Sequence, residues 1–147
     1  MFSKIVFIQF GKFKSVEYAQ LFNTYFDRLK HYTKPEIKEI KVSNDTPEHF
    51  EKIKDKIEEA TKGTLMVFSE RGKNVSSLEL AKFLENGSGT LNIVVGSSWG
   101  MPEYLEKKAN LLVSFGRLTL PHEAVRFLSS EQIYRAMTII RGESYHK

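Results

Sequence analysis

The chain has 147 residues, no cysteine, 41% hydrophobic residues and a formal net charge of +4, so one domain with one sizeable core is expected. Without cysteine there is no disulfide framework, thiolate zinc site or cysteine nucleophile. Apolar runs such as Ile5–Ile8 are far too short to span a membrane, and Met1–Lys4 opens onto a strand pattern rather than a signal peptide, so a cytoplasmic protein is expected.

In chain order, Lys4–Phe10 is β-branched and aromatic and reads as a strand ended by Gly11. Ser15 can cap a helix whose residues Tyr18, Phe22, Tyr25 and Leu29 recur along one face. Pro35–Val42 reads as a second strand. Thr46-Pro47 is a good helix start, since Thr caps and Pro fits the first turn. Phe50, Ile53, Ile57 and Ala60 then form an apolar stripe up to Gly63. Thr64–Ser69 is a short apolar strand. Ser76 and Glu79 form a capping box for a helix to Asn86, with Gly87 expected at the left-handed position beyond it. Leu91–Val95 reads as a strand, Pro102–Ala109 as a short helix and Leu111–Phe115 as a fifth strand. Pro121–Arg141 is the longest helix, stopped by Gly142. Such alternation predicts an α/β fold: one domain over 1–147, with a mostly parallel five- or six-stranded sheet flanked by helices.

Several chemistries have no motif. No G-x-G-x-x-G follows the first strand, as a dinucleotide site would need. Arg71-Gly72-Lys73 only hints at a P-loop, because Val67 and Asn74 stand where glycine and a hydroxyl residue are required. The four histidines lack metal-ligand spacing, so no metal is expected. What remains lies after the third, fourth and fifth strands, where open α/β sheets bind ligands. The segments are Glu70–Val75, Gly96–Met101 (GSSWGM) and Gly116–His122 (GRLTLPH). Read on spacing alone, the second is equally an ordinary turn with Trp99 packed inside it. Four of the six arginines (Arg117, Arg126, Arg135, Arg141) fall in the last 31 residues. A planar guanidinium suits phosphate and carboxylate, so this clustering points to an anionic partner such as RNA, and by composition alone equally to structural arginines on a helix surface. Apolar residues spread around more than one face of the last helix, which predicts a second partner for it, most simply a second copy of the chain.

The stretch LTLPHEAVRFLSSEQIYRAMTIIRGESYHK, Leu118 to Lys147, closely resembles the C-terminal segment of the ribosomal RNA large subunit methyltransferase H family. KIVFIQFGK, FSERGKNVSSLELA and IVVGSSWGM resemble its first strand, middle motif and Gly-Gly-x-x-Gly turn. One departure is plain: the family's second glycine is Ser97 here, which adds a Cβ near the expected cofactor.

The resemblance implies a SPOUT-class fold with a C-terminal trefoil knot, a homodimer, and methyl transfer from S-adenosylmethionine to N3 of a pseudouridine. The substrate would be large-subunit rRNA in the assembled ribosome, with no membrane and no metal involved. It also implies that Phe68, Gly96, Phe115, Gly116, Arg117, Leu118, Thr119 and Leu120 line the cofactor pocket. Arg135, Tyr145 and His146 are expected at the target base, acting across the dimer. His122 and Arg126 are expected to organise the knot loop or contact RNA phosphate. Two rivals stand beside this: a SPOUT enzyme acting on another RNA, and a non-enzymatic RNA- or ligand-binding domain, suggested by Ser97. A plainer reading of the end of the chain makes Glu131–Arg135 a helix ion pair and the tail a frayed terminus.

Overall fold

The computed structural model describes residues 1–147. Its strands are β1 (Lys4–Phe10), β2 (Lys34–Ile40), β3 (Thr64–Asn74), β4 (Thr90–Val95) and β5 (Leu111–Ser114). Its helices are α1 (Val16–Leu29), α2 (Pro47–Lys52), α3 (Lys54–Ala60), α4 (Ser77–Asn86), α5 (Glu103–Lys108) and α6 (His122–Ile140). All four strand pairings are parallel and the order is β2-β1-β4-β3-β5. Parallel strands must be joined over a face, and here both faces are covered. On one face Phe22, Leu29, Leu84 and Ile133 from α1, α4 and α6 pack on Ile5, Phe7 and Ile93. On the other, Phe50, Ile57 and Leu105 from α2, α3 and α5 pack on Val6, Ile8 and Val94. The alternating α/β domain read from the sequence is the observed fold, with five strands.

Three local expectations change. The apolar stripe from Phe50 to Ala60 is carried by two short helices, because Ile53 leaves helical geometry (φ −99°, ψ 12°); Phe50, Ile57 and Ala60 are buried all the same. The third strand runs past Ser69 to Asn74 through an irregularity between Phe68 and Lys73, and then re-pairs with β5 at Lys73↔Val113. Gly72 makes that return possible, since a Cβ there would lie 2.5 Å from the Val113 carbonyl carbon. Gly87 is not left-handed (φ −81°). It is glycine because a Cβ would sit 2.1 Å from the Phe2 ring. The capping box itself forms: Ser76 accepts the Glu79 N–H, and Glu79 accepts the Ser76 N–H at 2.7 Å.

The last helix is partly covered within one chain, by α1, α4 and the sheet. None of residues 122–140 is exposed, yet Ile133, Ala136 and Met137 are buried while Phe127, Leu128, Tyr134, Ile139 and Ile140 are half-buried. The single chain therefore does not account for all of its apolar faces. Reaching that seat from β5 at the sheet edge, residues 115–121 must cross the end of β3, next to the β3–α4 connection.

Candidate functional site

The loops after β3, β4 and β5 and the first turns of α6 enclose one cavity of about 420 Å³ at the carboxyl ends of the strands. Phe68, Gly96, Phe115, Gly116, Leu118, Thr119, Leu120 and His122 all line it; Arg117 is exposed and does not. Phe68 and Phe115 stack nearly parallel, 8° apart with centroids at 5.1 Å, and form part of the wall. Arg71 joins from β3, its guanidinium forked onto Glu106 of α5, which also accepts the Ser69 hydroxyl. This tie fixes the bulged end of β3 against α5.

Backbone geometry leaves the cavity open to a ligand. Residues 97–100 form a tight turn in which the Ser97 and Gly100 N–H groups each donate to the other's carbonyl at 2.9 Å. Gly96 must lack a side chain, since its Cβ would lie 2.4 Å from the Gly100 oxygen. Gly100 (φ +121°) and Gly116 (φ +114°) occupy the left-handed half of conformational space, with nothing within 4 Å of a built Cβ. Arg117–Leu120 make no backbone hydrogen bond within the chain, so their N–H and C=O groups are free for a ligand.

Two anchors hold these loops, and neither is written in local spacing. Asp45, between β2 and α2, accepts the Ser98 hydroxyl. Burial pushes its carboxyl up, but the donors of the 97–99 turn outweigh burial and hold it below the usual Asp range. Ser97, the departure from the family turn, has its hydroxyl 3.5 Å from the Gly100 carbonyl oxygen. At the start of α6, Glu123 accepts N–H bonds from Lys14 (3.1 Å) and Ser15 (3.0 Å) at the head of α1. Burial opposes its ionisation, yet these donors with His122 and Arg126 hold its pKa below the ordinary value. His122 is shifted down, chiefly by burial, and presents a neutral imidazole at the cavity near pH 7.

Arg126 differs from what was expected of it. It is only 4% exposed, donates to the Gly11 carbonyl at 3.0 Å and lies over the Phe13 ring at 4.0 Å. Its Nε has no partner. In this conformation the guanidinium organises the α6–β1 junction and is closed to phosphate.

Arg135, Tyr145 and His146 come together, but away from the cavity. Arg135 donates to Glu131 at 2.7 Å, its guanidinium lies 4.7 Å from the Tyr145 ring centre, and His146 Nδ1 is 3.4 Å away. The Tyr145 hydroxyl donates to the same Glu131 oxygen at 2.9 Å. Burial raises the Tyr145 pKa, and its bonds to Tyr25 and Glu131 raise it further, so the phenol keeps its proton. Of the two plain readings, the Glu131–Arg135 ion pair holds, but the tail folds back on it instead of fraying. Thirteen residues of helix separate His122 from Arg135, about 20 Å at 1.5 Å per residue. Glu131, which receives all these donors, was not singled out in the sequence beyond its pairing with Arg135.

The chain has known counterparts. The family profile described as "Predicted SPOUT methyltransferase" matches residues 3–146. A protein of Enterococcus faecalis named ribosomal RNA large subunit methyltransferase H is 35% identical over 159 residues, covering 98% of this chain and 99% of that protein. One of Syntrophobacter fumaroxidans with the same name is 34% identical, covering 97% and 98%. The chain belongs to the ribosomal RNA large subunit methyltransferase H family. It is a SPOUT methyltransferase, as the resemblance implied. The solved structure of a probable methylase family protein from Haemophilus influenzae Rd KW20 matches 98% of this chain and 70% of its own, with TM-score 0.60 and 14% identity. At that identity the likeness carries the fold alone. No helix is long and apolar enough to cross a membrane, and no three His, Asp or Glu side chains are grouped to hold a metal ion.

Proposed function

We propose that the chain methylates N3 of a pseudouridine in large-subunit rRNA, using S-adenosylmethionine, as a homodimer acting on the assembled ribosome. The observation that carries this is the near-full-length match to methyltransferases of that name, joined to a cavity built by the loops after β3, β4 and β5.

The cavity suits the cofactor. Its volume of about 420 Å³ lies in the range of small-molecule sites, and its walls mix apolar side chains such as Phe68, Leu118 and Leu120 with hydroxyls and charged groups. Phe68, Leu118 and Leu120 offer faces for adenine, and the unpaired backbone of Arg117–Leu120 can bond its edge and the ribose. When bound, S-adenosylmethionine supplies a methyl group on a sulfonium centre. The chain's part is to hold that group in line with the target nitrogen and keep water out. The weakly acidic N3 proton must also leave, which a nearby cation favours. Arg135 is suited to that role and Tyr145, protonated, can donate to a base oxygen; at about 20 Å from their own cavity they act in the second protomer's. His122 and Arg126 organise the cavity loop. The outer side of α6, where Leu128 joins neither core cluster, is the face a second copy would cover.

Incubation with assembled ribosomes and with free rRNA, followed by nucleoside mass spectrometry, tests the reading. N3-methylpseudouridine from ribosomes is expected. Labelled methyl in tRNA but not rRNA would remove the proposed substrate. Calorimetry showing no binding of S-adenosylmethionine at millimolar concentration would remove the enzyme.

A further inference from the structure

The two rims of the sheet treat their cations differently. At the amino-terminal rim, Lys4 pairs with Glu36 at 2.9 Å, Lys34 with Glu36 at 3.7 Å, Lys30 with Asp27 at 2.7 Å and Lys62 with Glu59 at 2.5 Å. At the carboxyl rim, the side chains of Lys12 and Lys14 (after β1), Lys41 (after β2), Lys73 (at the end of β3) and Arg117 (after β5) are all exposed. None of the five has an ion-pair partner. The carboxylates nearby do not neutralise them. Asp45 and Glu123 stay ionised but are bonded elsewhere, to the Ser98 hydroxyl and to backbone N–H groups, and Glu106 is paired with Arg71.

We propose that this rim is the seat of an RNA strand, with phosphates on Lys12, Lys14 and Lys41 on one side of the cavity and on Lys73 and Arg117 on the other. The inference rests on the RNA-methylating reading above and says where the RNA lies. Strand order decides the geometry: β2 and β1 stand at one end of the sheet, β3 and β5 at the other, and the cofactor turn after β4 lies between. At about 4.8 Å per strand, the rim from β2 to β5 spans about 19 Å, enough for several nucleotides. Unpaired cations lose no internal partner when they meet phosphate, and each releases counterions from the RNA. Between the two groups stands Trp99, the only tryptophan, 40% exposed, with its other face stacked on Phe50 at 5.5 Å. Its free face suits an unstacked base, as recognition of single-stranded RNA requires. Phosphate contacts on both sides would set the register and deliver the target base to the cavity between them.

Cosedimentation of the full chain with assembled ribosomes over a range of salt concentrations tests this. A Lys12→Ala, Lys14→Ala, Lys41→Ala triple variant and a Lys73→Ala, Arg117→Ala double variant should each bind at least tenfold more weakly at low salt. Each should also lower the slope of log affinity against log salt, by about 0.7 for each contact to single-stranded phosphate. The Lys triple variant should bind S-adenosylmethionine as the parent does, which shows it is folded. A Lys4→Ala, Lys34→Ala, Lys62→Ala control should bind ribosomes like the parent. Trp99→Ala should weaken binding about tenfold with the slope unchanged. Rim variants that bind like the parent, or a control that falls as far as they do, would overturn the RNA seat alone. A parent chain that neither binds ribosomes nor methylates rRNA would overturn the proposed function itself.

Discussion

The two ends of α6 each carry an arginine beside a glutamate, and the chain treats them in opposite ways. Near the cavity, Arg126 is buried over Phe13 with one hydrogen bond, and burial pulls its pKa down. Glu123 nearby spends its oxygens on the backbone of Lys14 and Ser15. Twelve residues before the chain end, Arg135 stays partly exposed and its pKa is raised, first by its bond to Glu131. The first group is enclosed and joins elements of one chain; the second lies on an outer face with its donors still reachable. An arginine among family-like residues is thus a cue to look at burial before assigning chemistry.

The largest expected effect breaks the outer end. Deleting Glu143–Lys147 removes Tyr145, His146 and the Glu143 carboxylate that accepts the Tyr32 hydroxyl at 2.6 Å. Methyl transfer to ribosomes should fall by at least about 10²-fold, the scale of losing one donor at a reacting centre, while calorimetric S-adenosylmethionine binding persists. Full activity in the truncated chain would make the docked tail structural only. At the inner end, Glu123→Ala should leave two backbone N–H groups unbonded and Arg126 without its nearest countercharge. A loss of about 3 kcal/mol in urea unfolding is expected. Arg135→Ala should instead spare stability and lower turnover, so the two substitutions separate the two roles.

The pH dependence sharpens the same contrast. Glu123 and His122 both have folded pKa values below their unfolded ones, about 4.3 and 6.5. Each contributes stability that is present above the unfolded pKa and lost as pH falls through the folded one. Acidification below about pH 6.5 should therefore loosen the cavity end first. At the outer end, the pKa of Tyr32 is raised to about 12 and that of Tyr145 is raised as well. Their contribution is complete below about pH 10, the unfolded value, and is lost as pH climbs through the folded values. Hydrogen exchange should show α1–α6 junction amides opening in acid and tail amides opening in base. The reverse order would contradict the assignment.

Much of this was legible in the sequence because its signals are local. The Ser76–Glu79 box, the Thr46 cap and the strand–helix alternation involve neighbours within a few residues, where backbone geometry is decided. The cavity loops were found because ligands gather at strand ends and because their residues resemble a family. What stayed hidden depends on contacts across the chain. Asp45 meets Ser98 at a separation of 53 residues, and Glu123 reaches Lys14 at 109. Apolar residues around α6 announce burial on several sides, but periodicity cannot say whether α1, α4 or a second protomer provides it. Gly72 and Gly87 are set by the approach of Val113 and Phe2, which no turn rule contains.

The smallest expected effect concerns Ser97, where the family has glycine. The substitution would matter if that glycine were needed for a left-handed backbone, but no residue other than glycine has positive φ in this chain. The left-handed position in the turn is Gly100, and the crowded one is Gly96. Ser97 lies between them with its backbone paired to Gly100 and its hydroxyl 3.5 Å from the same residue's carbonyl oxygen. Ser97→Gly should therefore relieve no strain. It should remove only the long hydroxyl contact to the Gly100 carbonyl and leave the Ser98 bond to Asp45, a change of about 1 kcal/mol or less in stability. S-Adenosylmethionine affinity should move by no more than a few-fold. Asp45→Ala, which unties the Ser98 hydroxyl and with it the turn, should weaken it by about tenfold. A serine-to-glycine change that tightened cofactor binding tenfold or more would mean that the Cβ obstructs the pocket, and that Asp45 had been compensating for it.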